Sequence, residues 1–66
     1  MPVITVELGI GQADEAKKSA LIERLTTDSV DITGIAAEKF IVFIHEYPSE
    51  NIGLGGRSLK RIKAGS

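Results

Sequence analysis

Apolar and polar positions alternate through Pro2-Val3-Ile4-Thr5-Val6-Glu7-Leu8, a segment rich in β-branched types. That pattern predicts a strand over residues 2–8. Gly9, Gly11 and Gln12 break it. From Ala13 to about Val30 the period lengthens to that of a helix. Leu21, Ile22, Leu25 and Ser29 fall on an amphipathic spacing. Asp14 and Glu15 suit the positive end of that helix, although Ala13 offers no side-chain acceptor as an N-cap. Gly34 marks its exit loop.

Phe40-Ile41-Val42-Phe43-Ile44 is a continuous apolar run, the pattern of a strand covered on both faces. Strand, helix and strand compose an α/β unit, β-α-β, with parallel strands and a right-handed crossover. Tyr47-Pro48-Ser49-Glu50-Asn51 reads as a turn. Ile52-Gly53-Leu54-Gly55-Gly56 permits tight bends and a short C-terminal hairpin. One helix and two strands cannot cover the second strand twice. Its excess hydrophobicity therefore points to a second copy of the chain. Length points the same way. A single domain of 66 residues buries only about 60% of the surface its unfolded chain exposes.

Composition narrows the chemistry. The chain has no cysteine and one histidine, so neither disulfides nor a thiolate metal site can reinforce it. His45-Glu46 lacks a third ligand at metal spacing, and no metal or cofactor is expected. No apolar run approaches the roughly 18 residues of a membrane span, and no signal peptide precedes the first strand. The expectation is a soluble, cytoplasmic protein without a membrane partner. A net charge of −1 argues against nucleic acid as a partner. All nine acidic residues lie at or before Glu50, whereas Arg57, Lys60, Arg61 and Lys63 crowd the last ten residues. That end is either a solvated tail or a rim that draws anions.

Pro2 is the main candidate for chemistry. Removal of Met1 would expose a rigid secondary amine ahead of the strand. An ordinary α-amino group titrates at about 7.7–8.0, and desolvation lowers that value. The plainer reading is that Pro2 opens an edge strand, where a missing N–H does no harm.

Taken together, several segments resemble the 4-oxalocrotonate tautomerase family of the tautomerase superfamily. They are Met1-Pro2 with its strand, the helix start Gly11-Gln12-Ala13-Asp14-Glu15-Ala16-Lys17, and Glu46 to Gly56 ending in Gly53-Leu54-Gly55-Gly56. The resemblance implies short β-α-β subunits assembled as a hexamer, a trimer of dimers. It implies that processed Pro2 is the general base, moving a proton on a small unsaturated oxo acid. Family sites also use two arginines and a phenylalanine. Here those positions hold Gln12, Ile41 and Ile52, so the chain resembles a divergent branch. Gln12 can hydrogen-bond but supplies no charge.

Two cations are candidate replacements. Lys39 stands two residues before Ile41, at the strand start expected near Pro2, and on alternation shares its face. The alternative is an ordinary exposed lysine. Arg57 follows the double glycine. Gln12 lies beyond the far end of the first strand, about 20 Å from Pro2 at about 3.3 Å per residue. A site that uses both must draw them from different subunits. Ile52 and Leu54 are candidates for an apolar wall. His45 and Tyr47 are weaker candidates, the first as a structural histidine and the second as a hydrogen-bond donor or packing residue. Beside tautomerisation, two other readings stand. One is hydration or dehalogenation of an unsaturated acid on the same scaffold, which requires a carboxylate to activate water. The other is a non-catalytic oligomeric scaffold.

Overall fold

The computed structural model describes residues 1–64. Residues 65 and 66, the end of the single domain expected over 1–66, lie outside the described residues. The chain runs β1 (Val3–Gly9), α1 (Glu15–Thr33), a 3-10 turn (Ala37–Lys39), β2 (Ile41–Tyr47), a second 3-10 turn (Ser49–Asn51), β3 (Gly53–Leu54), β4 (Arg57–Ser58) and α2 (Leu59–Ala64). β1 and β2 are parallel and in register from Val3 opposite Ile41 to Gly9 opposite Tyr47. β3 and β4 form a separate antiparallel hairpin. This is the β-α-β unit with parallel strands and a C-terminal hairpin that the residue pattern predicts.

Several boundaries differ from the sequence expectation. The helix begins two residues later than Ala13, because Asp14 supplies the cap that Ala13 cannot. Its Oδ1 accepts from the Lys17 N–H at 2.9 Å. The helix also runs on to Thr33 and stops at Gly34, whose φ of 75° lets its N–H turn back to the Val30 carbonyl. Ile22 stands 43% exposed, off the face that Leu21, Leu25 and Ser29 share.

β2 extends three residues beyond the apolar run and takes in His45, Glu46 and Tyr47. Tyr47 thus closes a strand rather than opening a turn. Polar residues are tolerated there because each has an outlet. Glu46 points to the helix side, where Lys18 Nζ donates to it at 2.6 Å. His45 lies on the face that no helix covers. The basic C-terminal segment is also structured as far as Ala64. Gly55 and Gly56 take φ of 62° and 87°, the paired positive values of a tight hairpin turn. The chain then winds into α2, with the Arg61 N–H donating to Ser58 Oγ.

Alternation sorts the sheet into two faces. Ile4, Val6, Leu8, Val42 and Ile44 are half-buried on the helix side. On the other side Val3 is 50% and Phe43 49% exposed. Within one chain, then, the apolar run of β2 is covered on one face only. Among the described residues no side chain is fully buried. The radius of gyration is 15.4 Å, against about 11 Å for a compact chain of this length. No helix among the described residues is long and apolar enough to cross a membrane.

Candidate functional site

The register of β1 and β2 separates the candidate residues into two groups at opposite ends of the sheet. Pro2 sits at the leading edge. Its carbonyl accepts from the Ile41 N–H at 3.0 Å, which seats it beside the start of β2. Met1, 88% exposed, extends beyond it and joins its nitrogen in a peptide bond. Ile41 adjoins Pro2 as the register requires.

Lys39 belongs to this end by sequence, but it is not on the strand. It closes the Ala37–Lys39 turn, where its N–H donates to the Ala36 carbonyl at 3.0 Å. Alternation therefore does not carry from Ile41 back to Lys39, and the shared face inferred from spacing is corrected. The lysine side chain is exposed at the strand approach.

Gln12 and Ile52 lie at the far end. They share a groove of about 270 Å³ with Glu7, Leu8, Gly9 and Tyr47. The chain folds back after β1 because Gln12 bonds Gly9 twice. The Gln12 N–H donates to the Gly9 carbonyl at 3.2 Å, and the Gly9 N–H donates to Gln12 Oε1 at 2.9 Å. With its oxygen occupied, the Gln12 amide has its NH₂ as the group able to donate to a ligand.

Tyr47 and Glu7 meet across the two strands, with the tyrosine hydroxyl donating to Glu7 Oε1 at 3.1 Å. That bond to the carboxylate, with some desolvation and the charge of Glu7, raises the tyrosine pKa above its ordinary 10.0. The hydroxyl is therefore held neutral. His45 stacks on the Tyr47 ring at 6.5 Å and 14°, and Phe43 lies 6.2 Å from His45. A row of rings thus leads along the uncovered face of β2. Arg57 pairs with Leu54 in the hairpin. Leu54 is 67% exposed, and neither residue lines the groove.

The structure thus brings Gln12 and Ile52 together, leaves Pro2 at the opposite edge, and places Leu54 and Arg57 in the hairpin that follows Ile52, outside the groove lining. Glu7 and its bond to Tyr47 are not evident from the sequence. Their signal lies in the register, since residues 7 and 47 share a sheet face only if β2 reaches Tyr47. A larger concavity of about 510 Å³ runs along α1 past Ala13, Lys17 and Arg24 to Asp28. Pro2 lines neither concavity.

The model of a family described as tautomerase enzyme matches residues 2–62. A 2-hydroxymuconate tautomerase of Bacillus subtilis (strain 168) is 36% identical over 59 residues, covering 89% of this chain and 94% of that protein. The crystal structure of TomN, a 4-oxalocrotonate tautomerase homologue in the tomaymycin biosynthetic pathway, superposes with a TM-score of 0.88 at 33% identity. It covers 96% of this chain and 95% of that one. A structure from work on trans-3-chloroacrylic acid dehalogenase activity is also similar, with a TM-score of 0.73 at 29% identity, covering 88% and 98% of the two chains.

Proposed function

The chain belongs to the tautomerase family, and from that premise we propose that it moves a proton on a small unsaturated oxo or hydroxy acid, with Pro2 as base and acid in turn once Met1 is removed. The observation that carries this reading is the setting of Pro2. Its carbonyl is fixed by Ile41, its nitrogen has no part in the sheet, and the family match opens at this residue. A base held so rigidly loses little freedom in the transition state. The developing enolate oxygen needs donors or positive charge aimed at it. Lys39, Gln12 and Arg57 are the proposed groups, with Ile52 and Leu54 as apolar walls.

Pro2 and Gln12 stand at opposite ends of β1, so the reading requires that they come from different subunits. Homo-oligomer formation is part of the proposal, with a hexamer as the expected state and a dimer as the minimum. The exposed Val3 and Phe43, and the lack of any fully buried side chain among the described residues, support it. The test compares mature protein with a variant that retains Met1, using 2-hydroxymuconate and an aryl enolpyruvate as substrates. Turnover should require the free amine. Equal turnover with Met1 attached would sink the reading.

A second reading is hydrolytic dehalogenation or hydration, favoured by the likeness to the structure from the dehalogenase work. Halide release from trans-3-chloroacrylate by the same protein would select it. Failure of every such assay on an intact oligomer would leave the scaffold reading.

A further inference from the structure

We propose that the groove between Glu7, Gln12 and Tyr47 binds the uncharged hydroxyl or carbonyl end of a small acid, so that this chain acts on monoacids in preference to diacids. The inference deepens the tautomerase reading and rests on it for the reaction, but not for the binding.

Three observations fix the character of the groove. First, it contains a carboxylate. Glu7 lines it, and one oxygen is occupied by the Tyr47 hydroxyl at 3.1 Å. The other oxygen, Oε2, offers an acceptor to whatever enters. Second, it contains a donor of fixed orientation. Because Gln12 Oε1 takes the Gly9 N–H, the amide has its NH₂ to give. Third, the remaining wall is apolar, from Leu8 and Ile52. Among the described residues no cation lines the groove itself; Lys63 lines a smaller pocket that shares Gly9, Gln12, Tyr47 and Ile52 with it. The His45 ring lies parallel to the Tyr47 ring at 6.5 Å, and the Tyr47 hydroxyl bonds one Glu7 oxygen.

A second substrate carboxylate would meet the Glu7 charge inside the groove, with the neutral Gln12 amide beside it and the cation Lys63 on the adjoining pocket. Like charges so placed oppose binding. A hydroxyl fits instead, donating to Glu7 Oε2 while accepting from the Gln12 NH₂. A carbonyl accepts from the same NH₂. The two forms of a tautomerising oxygen, enol and keto, can therefore both be held by one pair of groups. A site that hydrogen-bonds a hydroxyl discriminates strongly against a ligand without one, because its polar groups are then left unpaired.

The experiment measures equilibrium binding of two unreactive ligands to the assembled protein by calorimetry. They are 4-hydroxyphenylacetate and 1,4-phenylenediacetate. The hydroxy acid should bind at least about tenfold more tightly to the wild type. Glu7→Gln should bring that ratio towards unity, chiefly by improving diacid binding. Tyr47→Phe, which leaves the Glu7 charge in place without the hydroxyl that bonds it, should keep the preference for the hydroxy acid. Sedimentation reports whether each variant remains assembled, and Glu7→Ala, which also removes the charge, serves as the comparison if Glu7→Gln does not. Binding needs no turnover, so protein that retains Met1 should give the wild-type ratio. A ratio near unity in the wild type, or a ratio unchanged in Glu7→Gln, overturns the proposal and leaves the role of Pro2 to the turnover assays.

Discussion

The main-chain N–H of Ile41 donates to the carbonyl of Pro2 at 3.0 Å, and this bond precedes the strand pairing that starts with Val3 opposite Ile41. Pro2 thus enters the sheet through its oxygen alone. Its nitrogen, which has no hydrogen while Met1 is attached, is not needed for the ladder. Base chemistry at this nitrogen and strand pairing at this carbonyl do not compete.

It follows that removing Met1 should leave fold and assembly unchanged and switch on activity. Turnover should rise with pH as the amine loses its proton, with a midpoint below the ordinary α-amino value of about 7.7–8.0. Retained Met1 should abolish turnover, and Pro2→Ala, which keeps a primary amine, should retain part of it. A pH–rate profile of the mature protein, and one of the Pro2→Ala variant, check this together.

The cation requirement separates Lys39 from Arg57. Lys39 precedes β2 on the Pro2 side, whereas Arg57 sits in the hairpin opposite Leu54. If either binds the substrate carboxylate, its replacement by Ala should raise KM, by about tenfold for loss of a charge-assisted bond. A parallel fall in kcat would mean that the contact strengthens in the transition state. Initial rates across substrate concentration for both variants decide it. No change in either would pass the role to main-chain N–H groups.

The uncovered sheet face makes a sharper demand. Phe43 is 49% exposed in the middle of it. Covering that half of a phenylalanine is worth about 2–3 kcal/mol per copy, taking roughly 100 Å² at about 25 cal/mol per Å². Phe43→Glu should therefore dissociate the assembly at micromolar concentration, whereas wild type should sediment as a hexamer or at least a dimer. Salt should matter little to the wild type, since the contacts are apolar. A stable folded wild-type monomer would remove the basis for a site shared between subunits.

The fold was legible wherever hydrophobic period and punctuation agreed. The alternation of β1, the apolar run of β2 and Gly55-Gly56 each point to one local geometry. The helix ends shifted with local caps at Asp14 and Gly34, whereas the end of β2 was missed because its polar residues have tertiary outlets invisible in the sequence. Glu46 stays in β2 with the help of Lys18 from α1, 28 residues away, and Tyr47 with the help of Glu7. The short α2 was hidden by its basic residues, although Ser58 followed by Leu59 and Ile62 carries a faint capping and apolar signal. Pro2, Gln12 and Ile52 could be named individually from the resemblance. Their distribution over two ends of the sheet followed from topology. The Glu7–Tyr47 pair could not be found, because it depends on strand register over 40 residues of sequence separation.

Gly34 isolates a backbone effect. Its φ is 75°, and a Cβ there would meet nothing within 4 Å. Gly34→Ala therefore carries no steric clash, only the cost of placing a side-chain residue in the left-handed region. That cost is about 1 kcal/mol. Urea unfolding at fixed protein concentration should show a loss of this size, because the stability of an oligomer depends on concentration. A negligible loss would mean that the helix end relaxes into another cap.

Tyr47 allows the site to be watched directly, since it is the only tyrosine and the chain has no tryptophan. Ultraviolet difference titration thus reports one side chain. Its midpoint should lie above 10.0, because its hydrogen bond to Glu7 favours the protonated hydroxyl. The sign follows from linkage. A folded-state pKa raised above the unfolded value gives stability that is present below pH 10 and is lost as pH rises through the folded pKa. Glu7→Gln removes the carboxylate charge and weakens the bond, so the midpoint should move back towards 10.0 and the alkaline loss attributable to this tyrosine should shrink. Lys18→Met, which breaks the exposed pair with Glu46 on the opposite face, should leave the midpoint in place and change stability by less than about 1 kcal/mol. A Tyr47 midpoint insensitive to Glu7→Gln would mean that the two side chains do not meet in solution.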